Sequence, residues 1–285
     1  MRRGAGLPYR CASQWGGRRG DRRARANALH PSAALTLLVG LGLPTPPVAA
    51  APAASEPCPV ALKSRPAGPA TLALPRAGAP LAAAGSADDR SSLAALEGVP
   101  GYGAALRAPA LGWPLLPRWC VWLEPLATPA DPWQRRWLDA VEAALARWAA
   151  LLPVVRVQDP AAAQVRVLRR RPPLASDATG RGRASHGRAL LSLVNVERRL
   201  GHWRLEPAVE VLIGPGQRAE ALEATALHEL GHAFGLWGHS PDPADALATA
   251  PGPVPVRWPT ARDRATLRWL YAQPTPFGRE VASPP

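Results

Sequence analysis

Between Trp133 and Leu152 the large apolar residues return at steps of three and four: Trp133, Trp137, Val141, Leu145, Trp148 and Leu152. A helix puts such a series on one face. Asp131 stands where an N-cap belongs and Pro132 at the first helical position. The pattern therefore predicts a helix of about five turns that ends before Pro153. Elsewhere the period changes. Arg118–Glu124 is aromatic and β-branched between prolines, which suits a strand. Val165–Leu168 alternates like a half-buried strand, and Leu190–Val196 is another candidate. Val209–Ile213 is the clearest, closed by Gly214-Pro215-Gly216. A second long helix is predicted from Arg218 to Phe234. After a proline-rich loop, residues 241–259, a third runs over Ala261–Ala272. Thr260 would cap it, with Asp263 three residues on in a capping-box arrangement and Leu267, Leu270 and Tyr271 on the buried face. The helices do not alternate with the strands, so the order argues for an α+β fold with a mixed sheet rather than a doubly wound one.

The chain ahead of these elements reads differently. Residues 51–112 are rich in Ala, Pro and Gly, with no sustained period beyond a possible helical turn at 91–96. This predicts a linker or pro-segment with too few large apolar residues for its own core. Order is predicted to begin near Trp113, with one domain over 113–278 and a short tail at 279–285. Residues 1–50 carry a basic region ending near Arg25, an apolar run from Ala33 to Leu43, and the small residues Ala49-Ala50-Ala51. That is the pattern of a secretory signal peptide. Cleavage after Ala50 would place the protein outside the membrane, in a periplasmic or extracellular space. Membrane contact is expected only if the segment stays on as an anchor.

Charge changes the picture little. The formal net charge is +13, but eight arginines of the first 50 residues supply much of it. The rest has no dense basic stripe with interleaved aromatics, which argues against a nucleic-acid partner. Of three cysteines, Cys11 lies in the predicted signal peptide. Cys58 and Cys120 could form a disulfide in an exported protein; the alternative is two unpaired thiols.

The densest chemistry lies in Leu227–Ser240, LHELGHAFGLWGHS. Six histidines occur in the chain, and three of them, His228, His232 and His239, fall within twelve residues. On a helix His228 and His232 lie one turn apart on one face, so both imidazoles can reach one metal ion. Glu229 sits beside the first. Zn²⁺ held by three protein ligands lowers the pKa of a bound water, and a neighbouring carboxylate can take its proton as it attacks a carbonyl. His186 and His202 have no such spacing and are expected to be surface or locally bonded.

His228, Glu229, His232 and Gly235 resemble the signature H-E-x-x-H-x-x-G-x-x-H of the metzincin zinc proteases. His239 comes one residue late, because Leu236-Trp237-Gly238 stands where two residues are usual. Gly235 can leave the helix with positive φ, and Gly238 offers a second flexible point to absorb the extra residue. His239 is thus assigned as third ligand, with Asp242 or Asp245 as the alternatives. His239-Ser240 followed by Ala246-Leu247 is similar to the matrixin branch, except that Ala248 stands in place of that branch's methionine. The wider stretch resembles a group of exported, predicted zinc-dependent proteases of cyanobacteria, in which a Trp before Gly-His-Ser recurs. Trp237 is read accordingly as packing under the loop.

The resemblance covers roughly Arg118 to Gly278. It implies a twisted mixed sheet, an active-site helix and a C-terminal helix. It also implies a protein or peptide substrate lying as an added strand along one sheet edge, either the 190–196 or the 209–213 candidate. Cys58 could in principle block the metal as a pro-segment thiolate, although Glu56-Pro57-Cys58-Pro59 lacks the matrixin P-R-C-G pattern. The function expected is an exported zinc-dependent endopeptidase working by Glu229-assisted attack of a zinc-bound water. A zinc-containing binding module that has lost turnover is the second reading, and hydrolysis of another amide or ester the third.

Overall fold

A computed structural model describes residues 58–73, 101–176, 182–183 and 185–283. The predicted signal peptide lies outside them, as does the possible helical turn at 91–96. Among the described residues no helix is long and apolar enough to cross a membrane.

A seven-stranded mixed sheet organises the fold. Its strands are β1 (Lys63–Gly68), β2 (Trp119–Leu123), β3 (Val154–Val157), β4 (Val165–Leu168), β7 (Gly187–Arg199), β8 (His202–Ile213) and β9 (Glu280–Val281). The order is β1-β7-β8-β4-β2-β3, with β9 also paired to β8. The strands β3, β2, β4 and β8 run parallel, β7 runs antiparallel to β8, and β1 in turn antiparallel to β7. A two-residue pair, β5 (Ala175–Ser176) with β6 (Gly182–Arg183), lies in the β4–β7 connection. Three α-helices complete the fold: α1 (Pro132–Ala149), α2 (Ala219–Ala233) and α3 (Ala261–Tyr271). A mixed sheet with segregated helices agrees with the α+β expectation.

Local chemistry sets the helix starts. The Asp131 side chain accepts from the Gln134 N–H at 2.8 Å, and Pro132 begins α1. Thr260 and Asp263 form the complete reciprocal box at the start of α3. α1 and α2 pack together, and α2 lies against β7 and β8. Trp119, Trp137, Trp148 and Phe234 are fully buried between them. The indole N–H groups still find acceptors: Trp137 donates to the Ile213 carbonyl and Trp148 to that of Leu227. This satisfies the one polar handle of each ring, as burial requires.

Several expectations need correction. Trp133 is 57% exposed rather than part of the core face. It sits in the first turn of α1, and the Arg136 guanidinium lies over its ring at 4.3 Å. Tyr271 is only half-buried. Its hydroxyl receives the Trp119 Nε1–H at 2.7 Å and donates to the Phe234 carbonyl at 3.0 Å. β3 was not predicted, and β7 and β8 extend well beyond their expected ranges. The tail is not free of structure, because Glu280 and Val281 pair with Arg204 and Trp203.

The largest correction concerns the boundary at Trp113. Residues 58–73 and 101–112 belong to the fold. Cys58 is disulfide-bonded to Cys120, which settles the pairing and rules out Cys58 as a free thiolate over the metal site. From there the chain crosses the sheet end, with the Ala61 N–H on the Ala161 carbonyl and the Leu62 N–H on that of Glu197. β1 then pairs along Leu193–Glu197 of β7. Further on, Tyr102, Leu106 and Ala108 are buried in the same core as the helices.

Candidate metal centre

α2 starts after the break at Gly214-Pro215-Gly216. It turns Leu222, Ala226, Leu230 and Ala233 into the core, fully or almost fully buried. The adjoining face carries Thr225, His228, Glu229 and His232, of which Glu229 and His232 are also buried. A Schellman motif ends the helix: the Leu236 N–H bonds the Gly231 carbonyl and the Gly235 N–H that of His232. This motif needs a left-handed residue, and Gly235 has φ +104°. The chain then turns back beneath the helix. Gly238 serves differently from the expectation, since its φ is not positive. It allows a close approach instead, because a Cβ there would collide with the Ala105 carbonyl and lie 2.9 Å from Leu106 Cα. The extra residue is absorbed in this turn, and His239 arrives beside the two helix histidines.

His228, His232 and His239 each present a ring nitrogen within 4.8 Å of the others. His228 Nδ1 faces the Ala246 carbonyl at 2.9 Å, and His232 Nδ1 faces that of Leu236 at 2.7 Å. A carbonyl can only accept, so both Nδ1 atoms carry the hydrogen and both Nε2 atoms offer lone pairs. These two Nε2 atoms lie 3.1 Å apart. Facing lone pairs repel, whereas a cation between them satisfies both. The edge of a tetrahedron with metal–nitrogen bonds of ~2.0–2.1 Å is ~3.3 Å, close to the separation seen. The donor set therefore fits a metal ion that favours imidazole.

Neither alternative for the third ligand belongs to this cluster of ring nitrogens. Asp245 is 3% exposed and already accepts from Ser240, Thr260 and Arg262. Asp242 accepts from the Ala244 N–H. Trp237 is buried, and its ring lies nearly parallel to His232, with centroids 5.8 Å apart and an interplanar angle of 12°. It thus packs on a ligand candidate itself. Ala248, in the methionine position, is also buried.

Burial sets the charge states. It pushes His228 down to about 4, against the smaller upward pull of its bond to Ala246. Burial also holds His232 well below the ordinary imidazole range and lowers His239. All three are neutral near pH 7 and free to bind a cation. Glu229 moves the other way. Burial raises it to about 7, and the Ala189 backbone N–H and the nearby Arg188 charge only partly offset this. A carboxyl that titrates near neutrality can both take up and release a proton.

A cavity of about 380 Å³ opens beside His228 and Glu229. Its walls are Ala221, Ala224 and Thr225 of α2, Gly187 at the start of β7, and Pro255 and Val256 of the proline-rich loop. His186 also borders it, while His202 is paired with Glu280 at the far end of the sheet. The two candidate edge strands differ in exposure. β8 is interior, between β7 and β4, whereas β7 is covered by β1 only along Leu193–Glu197. Among the described residues Gly187–Ser192 has no strand on its outer side.

The three histidines thus lie together, and Glu229 shares a cavity wall with His228. Sequence reasoning did not find the carbonyls of Ala246 and Leu236, the Ala189 N–H, or the buried Asp263 carboxylate beneath the loop. Asp263 left a signal only as a capping residue, and main-chain partners leave none. No protein-family model matches the chain, and no curated protein matches it.

Proposed function

We propose that this protein is an exported zinc-dependent endopeptidase of the metzincin type, with His228, His232 and His239 holding the zinc and Glu229 as general base and acid. The observation that carries this reading is the pair of Nε2 atoms bared toward each other on α2, with His239 beside them and a proton-transferring carboxyl next to the first. Bound zinc would act as a Lewis acid toward the scissile carbonyl and toward a water molecule.

The chain's own groups do the rest. Glu229, titrating near neutrality, takes the proton of the attacking water and passes it to the leaving amine. The Ala189 N–H holds that carboxylate in place. The uncovered Gly187–Ser192 edge of β7 offers main-chain donors and acceptors to an extended peptide, which explains why the substrate would be a peptide rather than an isolated amide. The cavity beside Glu229 receives one substrate side chain, and its largely apolar walls favour an apolar one.

The test is peptide-library cleavage, mapped by mass spectrometry, with the zinc-loaded full chain and its Glu229→Ala variant. Cleavage by the wild type that is lost in a zinc-retaining variant supports the assignment. A folded, zinc-loaded wild type that cleaves nothing would move the protein to a binding role. Cleavage that survives the substitution would remove Glu229 from the mechanism.

A further inference from the structure

We infer that Asp263 and Tyr102 are positioning residues for the metal centre, acting on His228 through the peptide unit that joins Ala246 to Leu247. This rests on the metal-site reading above.

The contacts form a continuous chain. His228 Nδ1–H donates to the Ala246 carbonyl at 2.9 Å. The N–H of that same peptide unit belongs to Leu247 and points at Asp263 Oδ1, 3.4 Å away. The preceding N–H, of Ala246, donates to Asp263 Oδ2 at 2.9 Å. Asp263 is fully buried and also accepts from the Thr260 N–H at 2.8 Å. The Tyr102 hydroxyl closes the set, donating to Oδ1 at 2.6 Å.

Hydrogen bonds in series polarise one another at low dielectric. A peptide whose N–H leans on a carboxylate has a more electron-rich carbonyl. That carbonyl holds the Nδ1–H more firmly and makes the opposite Nε2 a better donor to a cation. The arrangement is a carboxylate–histidine pair with a peptide unit inserted between its members, and partners of this kind govern ligand orientation and basicity.

Tyr102 gives the relay a second anchor. Its N–H donates to Thr266 Oγ1 at 2.8 Å. Five residues on, the Arg107 N–H donates to the Trp237 carbonyl at 2.7 Å. One short segment thus grips α3 and the turn that delivers His239. Burial and the adjacent Asp263 carboxylate push the Tyr102 phenol far upward, so it remains a donor.

The test uses the full chain with Tyr102→Phe, Asp263→Asn and, as a control, Thr275→Val. The control removes a part-buried hydrogen bond to the Trp113 carbonyl, away from the relay. Three quantities are read: zinc affinity by chelator competition, the His228 Nδ1–H resonance in the zinc-free protein, and the melting temperature. Tyr102→Phe should weaken zinc binding about 10-fold and move the His228 resonance upfield. Asp263→Asn should do more of both, and Tyr102→Phe carries the test if that variant fails to fold. Thr275→Val should lower the melting temperature alone. The inference is overturned if Tyr102→Phe behaves as the control does, with zinc affinity within about twofold of wild type and the resonance unmoved. A wild type that binds zinc without cleaving peptides would end the protease reading while leaving the relay to be judged on these numbers.

Discussion

His228 and His232 each commit Nδ1 to a carbonyl, and that single choice turns two buried imidazoles into a pair of outward donors. The same burial has a measurable consequence. In an unfolded chain these rings titrate near their ordinary value, about 6.5. Folded His228 titrates at about 4, and burial also holds His232 well below its ordinary value. Between pH 4.5 and 6.5 the unfolded state therefore binds more of these protons, so their contribution to stability is lost as pH falls. Glu229, raised to about 7, acts in the opposite sense over much of this window, but one carboxyl does not outweigh two histidines. The zinc-free protein should lose stability steadily from pH 6.5 to 4.5 in denaturant titrations. A flat or rising profile would mean that the rings are not buried as described. At this scale the sequence was legible where spacing alone does the work: His228, Glu229 and His232 follow from one helical turn. Asp263 and the carbonyls were not, because their roles exist only once the loop of residues 241–259 folds back over α2.

Elements were legible in proportion to their periodicity and caps. α1 and α3 have polar N-caps that the sequence announces, and α2 is a largely apolar run ended by Gly235. Replacing Gly235 with Ala would put a side chain at φ +104° and 2.5 Å from Leu115 Cδ2. The expected cost is ~1–2 kcal/mol from the backbone alone, read as a lower midpoint in chemical unfolding. Because the Schellman turn also sets the path to His239, zinc affinity should fall with it. An unchanged midpoint would show that the helix can end another way. β1 was illegible for a physical reason. Lys63-Ser64-Arg65-Pro66-Ala67-Gly68 has no apolar alternation, since it buries almost no side chain and is held by main-chain pairing to β7. β3 is four residues of a half-exposed edge, too short for periodicity to mark. The α+β class survived both omissions because it depends on the order of the stronger elements.

For the whole molecule, the decisive feature is that the segment before Trp113 is built into the domain at three places: the Cys58–Cys120 bond, β1 on β7, and Tyr102 on Asp263. Composition reads as a tether because Ala, Pro and Gly dominate, yet a few residues at the right positions suffice when the partner surface already exists. A fragment starting at residue 113 should therefore melt roughly 5–15 °C below the oxidised full chain and bind zinc more weakly. Differential scanning calorimetry of the two would decide it, and equal melting would restore the boundary at Trp113. The lost β1 would also lengthen the open edge of β7 and expose the fragment to edge-to-edge association.

The proposed chemistry requires that three imidazoles of this chain hold a single zinc ion. Zinc K-edge X-ray absorption of the metal-loaded full chain, beside His239→Ala, tests it most directly. The expected result is one zinc per chain with three imidazole nitrogens at ~2.0–2.1 Å, falling to two in the variant. No bound zinc, a sulfur ligand, or a spectrum unchanged by the loss of His239 would contradict it.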